Sequence, residues 1–136
     1  MASVSLLWFR LDLRLDDNPA LCAAIKRGAP VVPVFIWAPE EEGAWAPGGA
    51  SKYWLHHALT DLETSLAKAG SRLTIRQGKS FEVLKELISE TRADAVFWNR
   101  RYEPSLVRRD AEIKKNLKAD GIAVDTFNSA LLFDPW

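Results

Sequence analysis

Short apolar runs recur along this chain between longer segments of helical periodicity, and that alternation constrains the fold more than any other feature. Residues 4–9, 30–37, 72–77, 93–98 and 122–127 form the runs. The first, second and fourth are nearly continuous in Val, Ile, Leu, Phe and Trp, as strands covered on both faces of a parallel sheet are. The intervening segments carry helix punctuation. Asn18 stands as an N-cap before Pro19, followed by Leu21, Ala24 and Ile25 on one face and Gly28 as the stop. Ser51 is the expected cap of a second helix, with Leu55, Leu59, Leu62 and Leu66 inward and Gly70 at its end. Ser80 opens a third, with Phe81, Leu84, Leu87 and Ile88 inward, and Pro104 a fourth, with Leu106, Ile113 and Leu117 inward and Gly121 closing it.

Strands alternating with helices in right-handed crossovers give an α/β fold, a doubly wound five-stranded parallel sheet of Rossmann-like type. At 136 residues the chain is expected to be a single domain. Ligands of such sheets gather beyond the carboxyl ends of the strands. Here those ends are residues 9–14, 37–50, 78–79, 99–103 and 128–130.

Composition excludes several classes. Lys and Arg total 18 against 18 Asp and Glu, so the net charge is zero and a lone nucleic-acid-binding module is disfavoured. Cys22 is the only cysteine, which leaves no internal disulfide or cysteine zinc site and points to a reducing compartment, the cytoplasm. No apolar run approaches the ~20 residues of a membrane helix, so a soluble chain without membrane partners is expected. The apolar end, Leu131 to Trp136, reads as a cut piece of something longer.

Neither G-x-G-x-x-G nor the phosphate-cradling G-x-x-x-x-G-K-[ST] occurs, so an ordinary NAD or ATP site is not expected. Arg10, Asp12 and Arg14 alternate with Leu11, Leu13 and Leu15 after the first run, either as an internal salt-bridge lattice or with one arginine facing a ligand or second domain. Asn99, Arg100, Arg101, Tyr102 and Glu103 follow the fourth run, where a carboxylate can accept from the amino edge of a heterocycle or serve only the helix that Pro104 begins. His56 and His57 sit about 100° apart on a helix and cannot converge on one metal, so surface or packing roles are expected. No catalytic constellation emerges. Arg108, Arg109, Lys114, Lys115 and Lys118, interleaved with Asp110 and Glu112, read as a solvated outer face. Residues 38–50 form one long Pro- and Gly-punctuated loop, mobile or functional, flanked by Trp37 and holding Trp45.

Residues 8–21, WFRLDLRLDDNPAL, resemble the opening of the DNA photolyase/cryptochrome family. Residues 51–59 (SKYWLHHAL), 70–73 (GSRL), 98–104 (WNRRYEP) and the segment from Phe127-Asn128 to Pro135-Trp136 are similar to successive family blocks, in family order. Leu11 departs from the pattern, since the family usually has a polar or basic residue there. The resemblance implies the N-terminal antenna domain of a class I type bacterial photolyase, and a parent that uses light and FAD to split pyrimidine dimers. The antenna chromophore would be methenyltetrahydrofolate or a deazaflavin or flavin. FAD would lie in a C-terminal helical domain absent here, which would be the partner of this one and would bring it to DNA. Carried over residue by residue, Glu103 matches the family acid at the folate pterin ring, with Asn99 and Tyr102 in the same motif. Lys52 lies near the basic residue of deazaflavin binders, Trp37 would wall the pocket, and Arg10 frames it. The alternatives are the same domain of a cryptochrome photoreceptor and a stand-alone nucleotide-binding module. Alone, the chain is expected to be inactive.

Overall fold

Asn18 decides where the first helix begins. Its backbone is extended, and its side-chain oxygen accepts from the amide of Leu21 at 3.1 Å, so one of the open N–H groups of the first turn is satisfied before Pro19 sets the helical φ. Gly28 ends that helix at φ 85°, its N–H donating to the carbonyl of Ile25 at 3.0 Å. The computed structural model describes residues 3–10, 13, 15, 17–38, 49–101 and 104–128, the side chains of 49–52 and 105 aside.

Chain order runs β1 (Ser5–Phe9), α1 (Pro19–Arg27), β2 (Val31–Trp37), α2 (Gly49–Lys68), β3 (Thr74–Gln77), α3 (Ser80–Thr91), β4 (Ala95–Asn99), α4 (Pro104–Ala119) and β5 (Ala123–Phe127). The strands pair in parallel in the order β3-β2-β1-β4-β5. The expected five-stranded parallel α/β sheet is therefore present. From β1 the chain winds outward through β2 and β3, then returns to β4 on the other side. The order reverses between β1 and β4, and the crevice beyond their carboxyl ends is where such sheets bind.

Alternation along the strands divides the core. Leu6, Trp8, Val34, Ile36, Val96 and Trp98 pack under α3 and α4, whereas Leu7, Phe9, Ala95 and Phe97 pack under α1 and α2. Leu55, Leu62 and Leu66 of α2, Leu84 and Leu87 of α3, and Leu106, Ile113 and Leu117 of α4 are buried as their spacing requires.

Three local expectations are corrected. Ser51 does not cap α2, because the helix already runs from Gly49. Ile25 is 61% exposed, since the small residues Ala20 and Ala24 bring α1 close to the sheet along a narrow stripe that leaves Ile25 outside it. Leu59 is only half-buried, because the amino-terminal part of α2 stands away from the sheet edge and leaves a cavity there. No helix of the described residues is long and apolar enough to cross a membrane.

Candidate functional site

Arg10 emerges from the end of β1 into the crevice and is 5% exposed. A buried guanidinium needs a counter-charge. It finds one on α4, where Arg10 Nη2 donates to Asp110 Oδ1 at 3.1 Å and Oδ2 at 2.9 Å, while Nη1 donates to the carbonyl of Asn99 at 3.3 Å. Burial lowers the Arg10 pKa to about 10, against the favourable charge of Asp110 and with further lowering from Arg109 and Arg101. It stays a cation at neutral pH. The same carboxylate also accepts from Arg109, through Nε at 3.1 Å and Nη2 at 2.9 Å. Both guanidinium groups lie over the ring of Trp8, at 4.2 Å and 5.3 Å from its centroid, and Trp8 meets Trp98 edge-on at 5.1 Å.

Asn99, at the end of β4, is 3% exposed and ties the crevice to α1. Its Oδ1 accepts from the amide of Ala20 at 3.1 Å, and its Nδ2 donates to Asn18 Oδ1 at 2.7 Å. The Asn18 side chain thus caps α1 and anchors β4 at once.

Among the described residues, two neighbouring cavities open along this carboxyl edge, apart from a third of about 210 Å³ between α4 and the ends of β4 and β5. The smaller, about 40 Å³, lies among Trp8, Arg10, Trp37, Ser80, Arg101 and Arg109. The larger, about 500 Å³, lies between α2 and the β2–β3 edge and is mostly apolar, with Trp37, Leu59 and Ile75 as walls and His56, Arg76 and Gln77 as polar groups. Phe35, Trp37 and Leu55 border both, so the cavities adjoin. Arg76 is also held by Glu90 in a two-fold ion pair at 3.0 and 2.9 Å.

The site residues named from the sequence divide accordingly. Arg10, Trp37 and Asn99 come together at this edge. Lys52 lies near the amino end of α2, and its side chain falls outside the described residues, as do Tyr102, Glu103, Asp12, Arg14, Trp45 and the end of the chain. The described partner of Arg10 is Asp110, 100 residues away, which pattern reading placed on the solvated face. Arg109 likewise turns inward, while Arg108, Lys115 and Lys118 stay exposed. A signal was present in the sequence: Asp110 lies in register with Leu106, Ile113 and Leu117, an acid set into the apolar stripe of α4. His56 and His57 are exposed, and among the described residues no cluster of ligating side chains suits a metal.

A family model described as DNA photolyase matches residues 5–136. A deoxyribodipyrimidine photo-lyase of Agrobacterium fabrum is 48% identical over 130 residues, which cover 96% of this chain and 26% of that protein. Cryptochrome-1 of Arabidopsis thaliana is 46% identical over 133 residues, 97% of this chain and 19% of that protein. A crystal structure of a class III photolyase from Agrobacterium tumefaciens superposes with a TM-score of 0.91 at 46% identity, covering 99% of this chain and 27% of that one. An archaeal photolyase from Sulfolobus tokodaii, solved with two FAD molecules and described as implying a novel light-harvesting cofactor, gives 0.81 at 28% identity, covering 96% and 30%. The chain thus spans roughly a quarter of the length of the photolyase relatives it matches.

Proposed function

Since the chain belongs to the DNA photolyase family, we propose that it is the light-harvesting α/β unit of a light-driven DNA-repair protein, seating an antenna chromophore at the carboxyl edge of its sheet. The observation that carries this reading is the apolar cavity beside Trp37, whose volume of about 500 Å³ suits a planar ring system. A flat heterocycle gains aromatic contact on Trp37, and the Gln77 amide and His56 imidazole offer hydrogen bonds to its polar edge. When bound, such a group absorbs light and passes excitation to FAD, which in this proposal lies in a helical partner domain of the parent. This chain's residues bind and orient the ring and keep water from it. Arg10, Asn18, Asn99 and Asp110 hold the frame in which β1, β4, α1 and α4 meet.

Titrating the purified chain with flavin mononucleotide and with methenyltetrahydrofolate, read by fluorescence, tests the proposal. A folate held by Glu103 makes Glu103→Ala the damaging change, at about ten- to a hundredfold in affinity. For a flavin or deazaflavin, Trp37→Ala and Lys52→Ala dominate. Undiminished binding by all three variants removes the site, and binding of neither chromophore removes the antenna reading.

The class I type suggested by the motifs differs from the class III of the Agrobacterium tumefaciens structure. A photoreceptor parent is the second reading, favoured by the 46% identity to cryptochrome-1. Restoration of thymines from dimers by the full-length parent under blue light separates the two.

A further inference from the structure

Helix α4 gathers cations on one side. At about 100° per residue, Val107, Arg108, Ala111, Lys114, Lys115 and Lys118 share a sector of about 120° of its circumference, and Glu112 falls outside it. Among the described residues, none of the four cations in this sector has a carboxylate partner. Asp110, one turn before Lys114, is taken by Arg10 and Arg109, and the other described ion pairs use Asp94 and Glu90 on other elements. Lys114 and Lys118 repel each other across one turn. Lys118 gains from the helix dipole in the last turn, but Arg108 and Lys114 stand too early in the helix to share that gain. Arg100, just past β4, adds a fifth cation. Its Nε donates to Thr126 Oγ1 at 3.1 Å and its Nη2 to the Thr126 carbonyl at 3.4 Å, so it is held against β5 with further N–H groups to spare. Since the whole chain carries no net charge, this positive sector is a local feature, answered by exposed acids elsewhere such as Glu82 and Glu86 of α3.

The third cavity, of about 210 Å³, opens beside these cations, bounded by Trp98, Arg100, Val107, Ala111, Lys114 and Thr126, with Asp110 already engaged below. Its walls are mostly apolar, and Val107 is 46% exposed at the mouth. We propose that this face docks a short acidic segment of another polypeptide, which sets one aliphatic side chain in the cavity and its carboxylates on Arg100, Lys114 and Lys118. Charge complementarity selects an acidic partner, and the cavity selects a polypeptide over a polynucleotide. A base needs an exposed ring face to stack on, whereas Trp98 is 1% exposed and the accessible walls are aliphatic. The surface lies in the opposite half of the sheet from the cavity beside Trp37 and does not depend on a chromophore.

Fluorescence anisotropy of a labelled peptide, Glu-Asp-Glu-Leu-Glu-Asp-Glu, with the purified chain tests the assignment. Binding is expected to weaken as salt is raised, and to be about tenfold weaker when Ala replaces the peptide's Leu. Lys114→Gln combined with Lys118→Gln is expected to lower affinity about fivefold. Val107→Asp, at an exposed position outside the core, is expected to lower it about tenfold while leaving thermal unfolding nearly unchanged. Lys85→Gln, which removes an exposed cation from α3, is expected to leave affinity as it is. No binding at millimolar peptide, indifference to the loss of Leu, or equal damage from Lys85→Gln overturns the proposal. Tighter binding of an oligothymidylate of the same charge, in competition with the peptide, assigns the face to nucleic acid. Self-association that Val107→Asp abolishes assigns it to a second copy, and either result overturns the peptide reading.

Discussion

At the residue scale, the cluster around Asp110 concentrates the largest risk in the molecule. One carboxylate answers Arg10 and Arg109, and Arg10 has almost no access to water. Removing it leaves a buried cation without this counter-charge, so Asp110→Ala is expected to cost about 3–5 kcal/mol in denaturant unfolding. Replacing Arg10 and Asp110 together by Met and Leu should cost far less than the sum of the single changes, because no buried charge of that pair is then stranded. A smaller and opposite case lies at the amino edge of the sheet. Arg27 donates to Asp94 at 2.7 Å and holds its carboxyl below the ordinary 3.8. Folding therefore favours the ionised acid. The resulting stability is present above 3.8 and is lost as pH falls through the lowered value. Asp94→Asn is expected to flatten this part of the acid limb, and the loss at neutral pH should stay under about 1 kcal/mol because the pair is largely solvated. Unfolding curves at neutral pH and in acid, compared between the two proteins, check both statements.

At the element scale, α2 shows how one helix serves both packing and a cavity. Leu62 and Leu66 press into the core against the sheet, whereas Leu59, three residues earlier, borders the open cavity beside Ile75. Leu62→Ala is expected to cost about 2–5 kcal/mol, since it leaves a void in a filled core. Leu59→Ala removes methyl groups from a wall that is already open, and its cost should stay below about 1.5 kcal/mol. Equal losses for the two variants in chemical denaturation would show that the cavity beneath α2 is closed in solution. The caps act on the same scale. Asn18 joins the start of α1 to the end of β4 through Asn99, so a change at either asparagine loosens the mouth of the site as well as the helix.

At the scale of the whole molecule, equal numbers of basic and acidic residues leave no long-range attraction to a polyanion. DNA affinity of this chain should accordingly be weak. The FAD that performs repair is proposed to reside in the partner domain, so blue light and dimer-containing DNA with this chain alone are expected to yield no restored thymines. A gel shift that is tight and salt-sensitive, or any recovered thymine, would contradict this pair of expectations. Joining the chain to the FAD-bearing domain proposed as its partner is expected to quench the emission of a bound chromophore, because excitation then has an acceptor.

How much of this was legible beforehand follows from the range of the interactions. Alternation of apolar runs with capped helices fixes elements through local forces, so the five parallel strands and Asn18, Gly28, Pro104 and Gly121 could be read directly from spacing. Family motifs brought Arg10, Trp37 and Asn99 to one edge before any geometry was known. Tertiary structure alone decided that Arg10 pairs with Asp110 across 100 residues, that Arg109 faces inward from a helix that otherwise looks solvated, and that Leu59 borders a cavity. Those outcomes depend on which faces of β1 and α4 are brought together and how closely α2 approaches the sheet. The period of α4 sets Asp110 on its apolar stripe, but which group it meets there, and how closely the elements approach, is set by packing between segments far apart in the chain.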